Sequence, residues 1–442
     1  MFLFFTKLMK KCVIIIIFNY ICIFMDPKQP QAHLTLPYHD DMLEAIYRFV
    51  EEHRNADATR LLLSGKTPCA EFPLRFAAVQ IDCRRKAAAK IPDFLRHREF
   101  LFPDAVSSEQ ASHQAVARYN AGVTGHAVKV LDMTAGLGID ALTSALSGNT
   151  VTAIDLDARK AAVLLHNAIV TGASSLTVTA ADSVEWLKES RERFDAIFID
   201  PARRSAGGGR VYAFSDCMPD ITSIMDMMLN HAPRVVVKCS PMLDVAQVRH
   251  ELPGVAQLHA VGVKGECKEL LAVVDRDATG YRETAVELDT DGHIVWKMEL
   301  NPDSDPSIRY LGATPGQGQW LYEPDATVMK FQPWGELSER YPALAKAARS
   351  THLFLGDELY DDFPGRIFRI GDIVDKKKLR ALKGTQLNVA VRNYPETADS
   401  LRRRYHIGDG GEGFLYGFSS GAGKHLALCR RHQKRNPAES TI

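Results

Sequence analysis

Four apolar runs between residues 129 and 200, each closing on an aspartate, constrain this chain more than any other feature. They read KVLD, TVTAID, LTVTAAD and FDAIFID, and they end at Asp132, Asp155, Asp182 and Asp200. A near-continuous apolar strand has to be covered on both faces, which is the condition of a strand inside a parallel sheet. Stretches with helical spacing at 139–146, 158–170 and 183–192 separate the runs, so the repeating unit is strand–helix–strand. Such a sheet gathers the carboxyl ends of its strands along one edge, where open α/β sheets bind ligands. Four carboxylates along that edge repel one another unless solvent or a ligand satisfies them.

The first aspartate runs into Met133-Thr134-Ala135-Gly136-Leu137-Gly138. Glycines in a strand-to-helix turn let a ligand approach the backbone, and the helix amino terminus attracts negative charge. Asp155 follows Asp132 by 23 residues. An acid at about that spacing accepts hydrogen bonds from ribose hydroxyls in nucleotide-binding sheets. No G-x-G-x-x-G opens the segment, which argues against a nicotinamide cofactor.

The rest of the chain is organised differently. Its 442 residues are 46% hydrophobic and 24% charged, the balance of a globular protein of several domains rather than of a disordered, collagenous or multi-span membrane chain. Lys+Arg and Asp+Glu both total 54, so no basic coat covers the whole molecule. The eight cysteines are scattered without a C-x-x-C, which gives neither a disulfide framework nor a zinc site and suits the cytoplasm. Residues 12–25 form an apolar run behind Lys7, Lys10 and Lys11. The run is shorter than the ~20 residues of a membrane span and lacks a small-x-small cleavage site. With Met25 at its end, residues 1–25 read as a misassigned start or a signal-like segment, and no membrane partner is expected.

Residues 26–110 carry helical spacing through Met42, Leu43, Ile46, Phe49 and Val50. The run 254–275 should supply two last strands of the sheet. Beyond 281 the texture changes: Thr290-Asp291-Gly292 is a hairpin turn between VELD and IVWKMEL, and a Gly/Pro-rich stretch follows. From Arg366 onward there are sixteen Lys+Arg against seven Asp+Glu, an excess of nine. Clusters at Lys376-Lys377-Lys378, Arg402-Arg403-Arg404 and Arg430-Arg431 make an electrostatic footprint for phosphate. The ordinary reading of each cluster is a solvated face, and that of Gly408–Gly413 a surface loop.

Taken together, the aspartate series resembles the class I S-adenosylmethionine-dependent methyltransferases. Asp132, Gly136 and Gly138 correspond to the motif around the methionine part of the cofactor, Asp155 to the ribose acid and Asp182 to the residue at the adenine amino group. Thr134 stands where that family has a glycine. Asp200-Pro201-Ala202-Arg203 corresponds to the catalytic motif. SSEQAS (107–112), KCSPMLD (238–244), KGECKEL (264–270), YEPDATVMK (322–330) and DDFPGRIF (361–368) extend the likeness. They resemble a bacterial family with a helical amino-terminal part, a methyltransferase domain, a ferredoxin-like domain and a THUMP-like domain. The resemblance implies an α/β architecture: a Rossmann-like methyltransferase sheet over 111–280, then smaller α+β domains, ferredoxin-like over 281–353 and THUMP-like over 354–432. It implies S-adenosylmethionine as cofactor, held by Asp132, Thr134, Gly136, Gly138, Asp155, Asp182 and Gln110. It implies Asp200, Pro201 and Arg203 as catalytic residues, no metal, and RNA as partner, tRNA or rRNA, since THUMP domains bind RNA.

An exocyclic base nitrogen is a poor nucleophile, and acceptors for its N–H groups, the Asp200 carboxylate and the Pro201 carbonyl, favour its attacking geometry. Pro201 also fixes φ and stiffens the turn. Arg203 stands where amino-methylating relatives often place an aromatic residue; a guanidinium stacks on a base or holds a phosphate. Pyrimidine C5 methylation is the rival chemistry. It needs a cysteine to add to the ring, and Cys239 is the candidate, although a strand-end cysteine is ordinarily packed as a small hydrophobe. A non-catalytic protein that binds RNA or cofactor is the other alternative.

Overall fold

The computed structural model describes residues 34–203, 214–304 and 306–434. The segment 1–25 and Arg204 lie outside the described residues. Two compact units divide the chain, residues 1–200 with 230–232, and residues 201–229 with 233–442.

Among the described residues of the first unit, five α-helices precede the sheet: α1 (Asp40–Glu52), α2 (Ala58–Ser64), α3 (Leu74–Ala87), α4 (Ala105–Gln110) and α5 (Gln114–Thr124). Leu43, Ile46, Tyr47, Phe49 and Val50 share the buried face of α1 and pack with Phe72, Ala77 and Ile81. The side chains of Asp57, Asp104 and His113 accept from backbone N–H groups at the starts of α2, α4 and α5, meeting the unpaired donors of a first turn. Then follow β1 (Lys129–Asp132), α6 (Ile139–Leu146), β2 (Thr150–Asp155), α7 (Ala158–Thr171), β3 (Leu176–Ala180), α8 (Ser183–Glu189) and β4 (Ala196–Ile199). The four strands are parallel, in the order β4-β1-β2-β3. β1 is therefore flanked on both sides, with Asp132 in register with Ala153 and Phe198. The buried Asn167 of α7 exchanges two hydrogen bonds of 2.9 Å with the backbone of Leu101, fastening the segment that leads into α4.

The second unit opens with a short antiparallel ladder of β5 (Ala202–Arg203) and β6 (Cys217–Met218), followed by α9 (Ile221–His231), whose last residues count with the first unit. Next come β7 (Arg234–Cys239), α10 (Val245–Glu251), β8 (Val255–Val263), β9 (Glu266–Asp275), β10 (Arg282–Leu288) and β11 (Ile294–Leu300). The strands expected in 254–275 are β8 and β9. They form an antiparallel hairpin because only Lys264 and Gly265, both at positive φ, connect them, and a two-residue connection cannot make a parallel crossover. β9 also runs antiparallel to β7, and β10 pairs in parallel with β8 before turning through 290–292 into β11. The parallel arrangement thus holds for β1–β4 and gives way to a mixed one in β7–β11.

The remaining elements are β12 (Trp320–Pro324), α11 (Ala326–Phe331), α12 (Trp334–Arg340), β13 (Ala345–Ala348), β14 (Thr351–Gly356), β15 (Gly365–Ile373), α13 (Lys376–Ala381), β16 (Asn388–Arg392), α14 (Ala398–Tyr405), β17 (Gly413–Ser420) and β18 (Gly423–Arg431). Seven strands form one sheet in the order β13-β14-β12-β15-β18-β17-β16. One core cluster centres on Tyr322, Tyr341, Phe354 and Phe363, another on Phe368, Tyr416 and Phe418. Among the described residues no helix is long and apolar enough to cross a membrane.

Candidate cofactor-binding and catalytic site

The carboxyl ends of β1, β2 and β4 are tied together by hydrogen bonds that run through the predicted residues. Thr134 N donates to Asp132 Oδ1 at 3.0 Å, and Thr134 Oγ1 accepts from Asp200 N at 2.7 Å. The threonine that replaces a glycine therefore joins the end of β1 to the end of β4. Asp155 Oδ2 accepts from Gly136 N, and its Oδ1 from Asp157 N, both at 2.8 Å. This fixes the carboxylate across the turn that follows β1. Each carboxylate oxygen keeps a further lone pair for another donor.

The two glycines differ. A Cβ on Gly138 (φ 85°) would lie 2.1 Å from Cδ1 of the buried Leu164, so this glycine is needed for packing α6 against α7. A Cβ on Gly136 (φ 57°) would meet nothing within 4 Å, which leaves its backbone open to a ligand. Leu156, directly after Asp155, is 71% exposed. An apolar side chain held out beside a carboxylate at a ligand-binding edge suits a flat base attached to a ribose. Sequence reasoning passed over Leu156 because only its exposure sets it apart from the strand residues before it.

Asp132 is almost fully buried, and its carboxyl is pushed up to about 8, chiefly by burial; the neighbouring Asp140, Asp200 and Asp155 add to the rise and the Thr134 N–H opposes it. Burial also raises Asp155, against the N–H groups of Asp157 and Gly136. Asp132 and Asp155 are thus held reluctantly ionised at this edge, an environment that a cationic ligand rich in O–H and N–H donors relieves.

Sequence reasoning also missed Asp140. In the first turn of α6, its carboxylate accepts from Ser112 Oγ and, at 3.1 Å, from Asn120 Nδ2. The signal was available, since Asp140 closes the segment DMTAGLGID. Gln110 is exposed at the end of α4, two residues before the Ser112 that meets Asp140, so the SSEQAS segment ends against the first turn of α6. Asp182 stands apart. It is exposed, and its Oδ1 accepts from Val184 N at 2.9 Å and Glu185 N at 3.2 Å as the N-cap of α8. The backbone of Arg203 pairs with Cys217 in β5–β6. Cys239 is buried at the end of β7, and its Sγ donates to Val237 O at 3.5 Å.

Residues 320–364 match a ferredoxin-like domain family, and residues 365–431 a THUMP domain-like family. The crystal structure of a candidate methyltransferase from Porphyromonas gingivalis W83 matches with a TM-score of 0.79 at 26% identity, over 90% of this chain and 100% of that one. The protein has a methyltransferase fold with ferredoxin-like and THUMP-like domains. Weaker, partial likenesses include a type I restriction-modification methyltransferase subunit from Streptococcus thermophilus (TM-score 0.31, 12% identity, 40% of this chain and 46% of that one) and TrmN from Thermus thermophilus (0.29, 20%, 47% and 54%). No curated protein matches the sequence.

Within the THUMP-like domain, three of the sixteen cationic residues counted from Arg366 onward are paired with acids of the same segment. Lys378 Nζ lies 2.7 Å from Asp372, Arg402 binds Asp399 and Asp409, and Arg404 binds Glu396. The clusters expected at 376–378 and 402–404 are therefore less cationic than the residue count suggests.

Proposed function

We propose that this methyltransferase fold acts in the cytoplasm on RNA, tRNA or rRNA, and methylates an exocyclic amino nitrogen of a base. S-adenosylmethionine, when bound, supplies the electrophilic methyl group. The observation that carries this reading is the tie of Asp155 to Gly136 and of Asp200 to Thr134 at one sheet edge, with open space over Gly136. In this proposal residues 111–280 form the methyltransferase domain. Asp155 accepts from the ribose hydroxyls, Leu156 covers one face of the adenine, and Asp182 accepts from its amino group. Asp132 and Thr134 shape the turn, Gly136 gives access, Gly138 holds the helix behind it, and Gln110 closes over the site. Asp200 and the Pro201 carbonyl accept the N–H groups of the target amine and aim its lone pair; Arg203 stacks on the base or holds its phosphate. Orienting the reacting atoms is the main contribution, since a bound nucleophile no longer pays to find its partner. The basic THUMP-like domain (354–432), which follows the ferredoxin-like region (281–353), engages the RNA. The buried, strand-bonded Cys239 supports nitrogen over carbon as the target.

Calorimetry with S-adenosylmethionine tests the cofactor assignment. Asp155→Asn keeps an acceptor for the backbone but loses the charge, and should bind about tenfold more weakly, ~1–3 kcal/mol for a buried polar partner left poorly paired. Nucleoside mass spectrometry of RNA from a deletion strain, complemented with wild type, Asp200→Ala or Cys239→Ala, tests the chemistry. A modified nucleoside restored by Cys239→Ala and not by Asp200→Ala is expected. The reverse pattern assigns the reaction to carbon, and equal cofactor affinity for wild type and Asp155→Asn removes the ribose role.

A further inference from the structure

Three of the segments that extend the family resemblance lie outside the cofactor edge, and in the second unit they meet at one cleft. Lys264 and Gly265 come from KGECKEL, Glu323 and Asp325 from YEPDATVMK, and Gly365 and Arg366 from DDFPGRIF; all line a cleft of about 1180 Å³. We propose that this cleft is the seat of a single-stranded segment of the RNA, with phosphates on its arginines and lysines and at least one unpaired base on Trp296. The assignment rests on the RNA reading above and names where that RNA sits.

Glu323 organises the cationic lining. Only 5% exposed, it binds Arg366 Nη2 at 2.5 Å, Arg392 Nε at 2.6 Å and the Tyr416 hydroxyl at 2.8 Å. One carboxylate under two guanidiniums leaves a net positive charge, and both arginines remain more than 40% exposed on the cleft. A buried acid that pre-orients two partly exposed arginines reduces the ordering cost of gripping a phosphate. Exposed Lys264 and Arg431 add charge from the hairpin turn and the end of β18.

The remaining lining suits bases. Trp296 and Met329 are partly buried apolar side chains on the cleft, and an aromatic face stacks on any unpaired base. Glu287 holds Gly265 N at 2.6 Å through Oε1, while its Oε2 is buried with no hydrogen-bond partner among the described residues. Together with Asp325 it offers carboxyl groups that repel phosphate and accept from base N–H groups. The volume exceeds the roughly 300–1,000 Å³ of sites for single small molecules, which favours a stretch of chain over one free nucleotide.

Fluorescence anisotropy of a labelled single-stranded RNA of about eight nucleotides, within the usual site size, tests this on the full chain. Lys264→Gln with Arg431→Gln leaves the Glu323 network intact. It should weaken binding and flatten the log–log salt dependence by roughly 0.7 for each phosphate no longer neutralised. Trp296→Leu should weaken binding about tenfold without changing the salt slope. Cofactor affinity, measured alongside, should stay at the wild-type value in both variants. RNA bound equally, with equal slopes, by wild type and both variants overturns the cleft assignment and leaves the RNA reading standing. Absence of RNA binding by the wild type overturns the RNA reading itself. Adenosine monophosphate binding that the double variant abolishes, without RNA binding, would make the cleft a mononucleotide site and overturn the proposal.

Discussion

Single residues carry the sharpest consequences at the turn after β1. Gly138→Ala drives a Cβ into Leu164 in a left-handed conformation. It should cost ~1–3 kcal/mol for overpacking and ~1–2 kcal/mol for the backbone. Gly136→Ala has only the backbone cost, because its Cβ meets open space. Thermal melts should therefore separate the two strongly, while calorimetry should find cofactor binding impaired in Gly136→Ala; equal melting temperatures would contradict the packing role of Gly138. Asp132 gives a pH test. Its folded carboxyl holds its proton to about pH 8, far above the ordinary value. Below the ordinary value both states are protonated and the contribution is fully present. As pH rises toward about 8 the unfolded chain ionises first, so stability is lost over that window. Asp132→Asn cannot ionise, and in urea unfolding without cofactor it should lose less stability than wild type between about pH 5 and pH 8. Parallel pH profiles would show that Asp132 ionises normally in the fold. The sequence singled out Asp132, Gly136 and Gly138 by spacing, but the difference between the glycines depends on Leu164, which lies on another helix.

Elements decide the role of Asp182. It caps α8 with its side-chain oxygen, and the proposed contact to an adenine amino group uses the same carboxylate. Asp182→Ala removes both and should destabilise by ~0.5–2 kcal/mol, the usual range for removal of a cap. Asp182→Asn retains capping ability, so it should melt with wild type and lower cofactor affinity alone. Wild-type melting together with wild-type cofactor affinity in Asp182→Asn would leave Asp182 a helix cap only. The strands and helices of the first unit were readable because their periodicity changes from run to run, and 139–146 is α6 to the residue. The helix read to 192 ends at Glu189. β7–β11 was harder to read, since parallel and antiparallel central strands have the same apolar pattern, and only the two-residue Lys264-Gly265 connection separates them.

Across the whole molecule, the distribution of charge depends on which cations the fold sets beside acids. The chain is neutral overall and its carboxy-terminal part carries an excess of nine positive residues, yet folding sets Lys378, Arg402 and Arg404 against acids. Exposed ion pairs contribute only ~0–1 kcal/mol to stability. Replacing Lys376 and Lys377 with Ala should thus leave the melting temperature within about a degree. It should flatten the salt dependence of RNA binding less than Lys264→Gln with Arg431→Gln does; a larger effect at 376–377 would move the RNA onto α13. The alternation of strands and helices, the aspartates that close or follow the strands and the glycine turn are local properties of the chain, so the sequence by itself determined the α/β sheet and the edge proposed for the cofactor. Which carboxylates touch, which glycine faces open space, which cations are neutralised and which distant segments share a cleft depend on contacts between residues far apart in the chain. Thr134 and Asp200 are 66 residues apart, and Glu323 and Tyr416 are 93 apart. No spacing rule reaches that far, because such pairs are fixed only when the elements between them have packed.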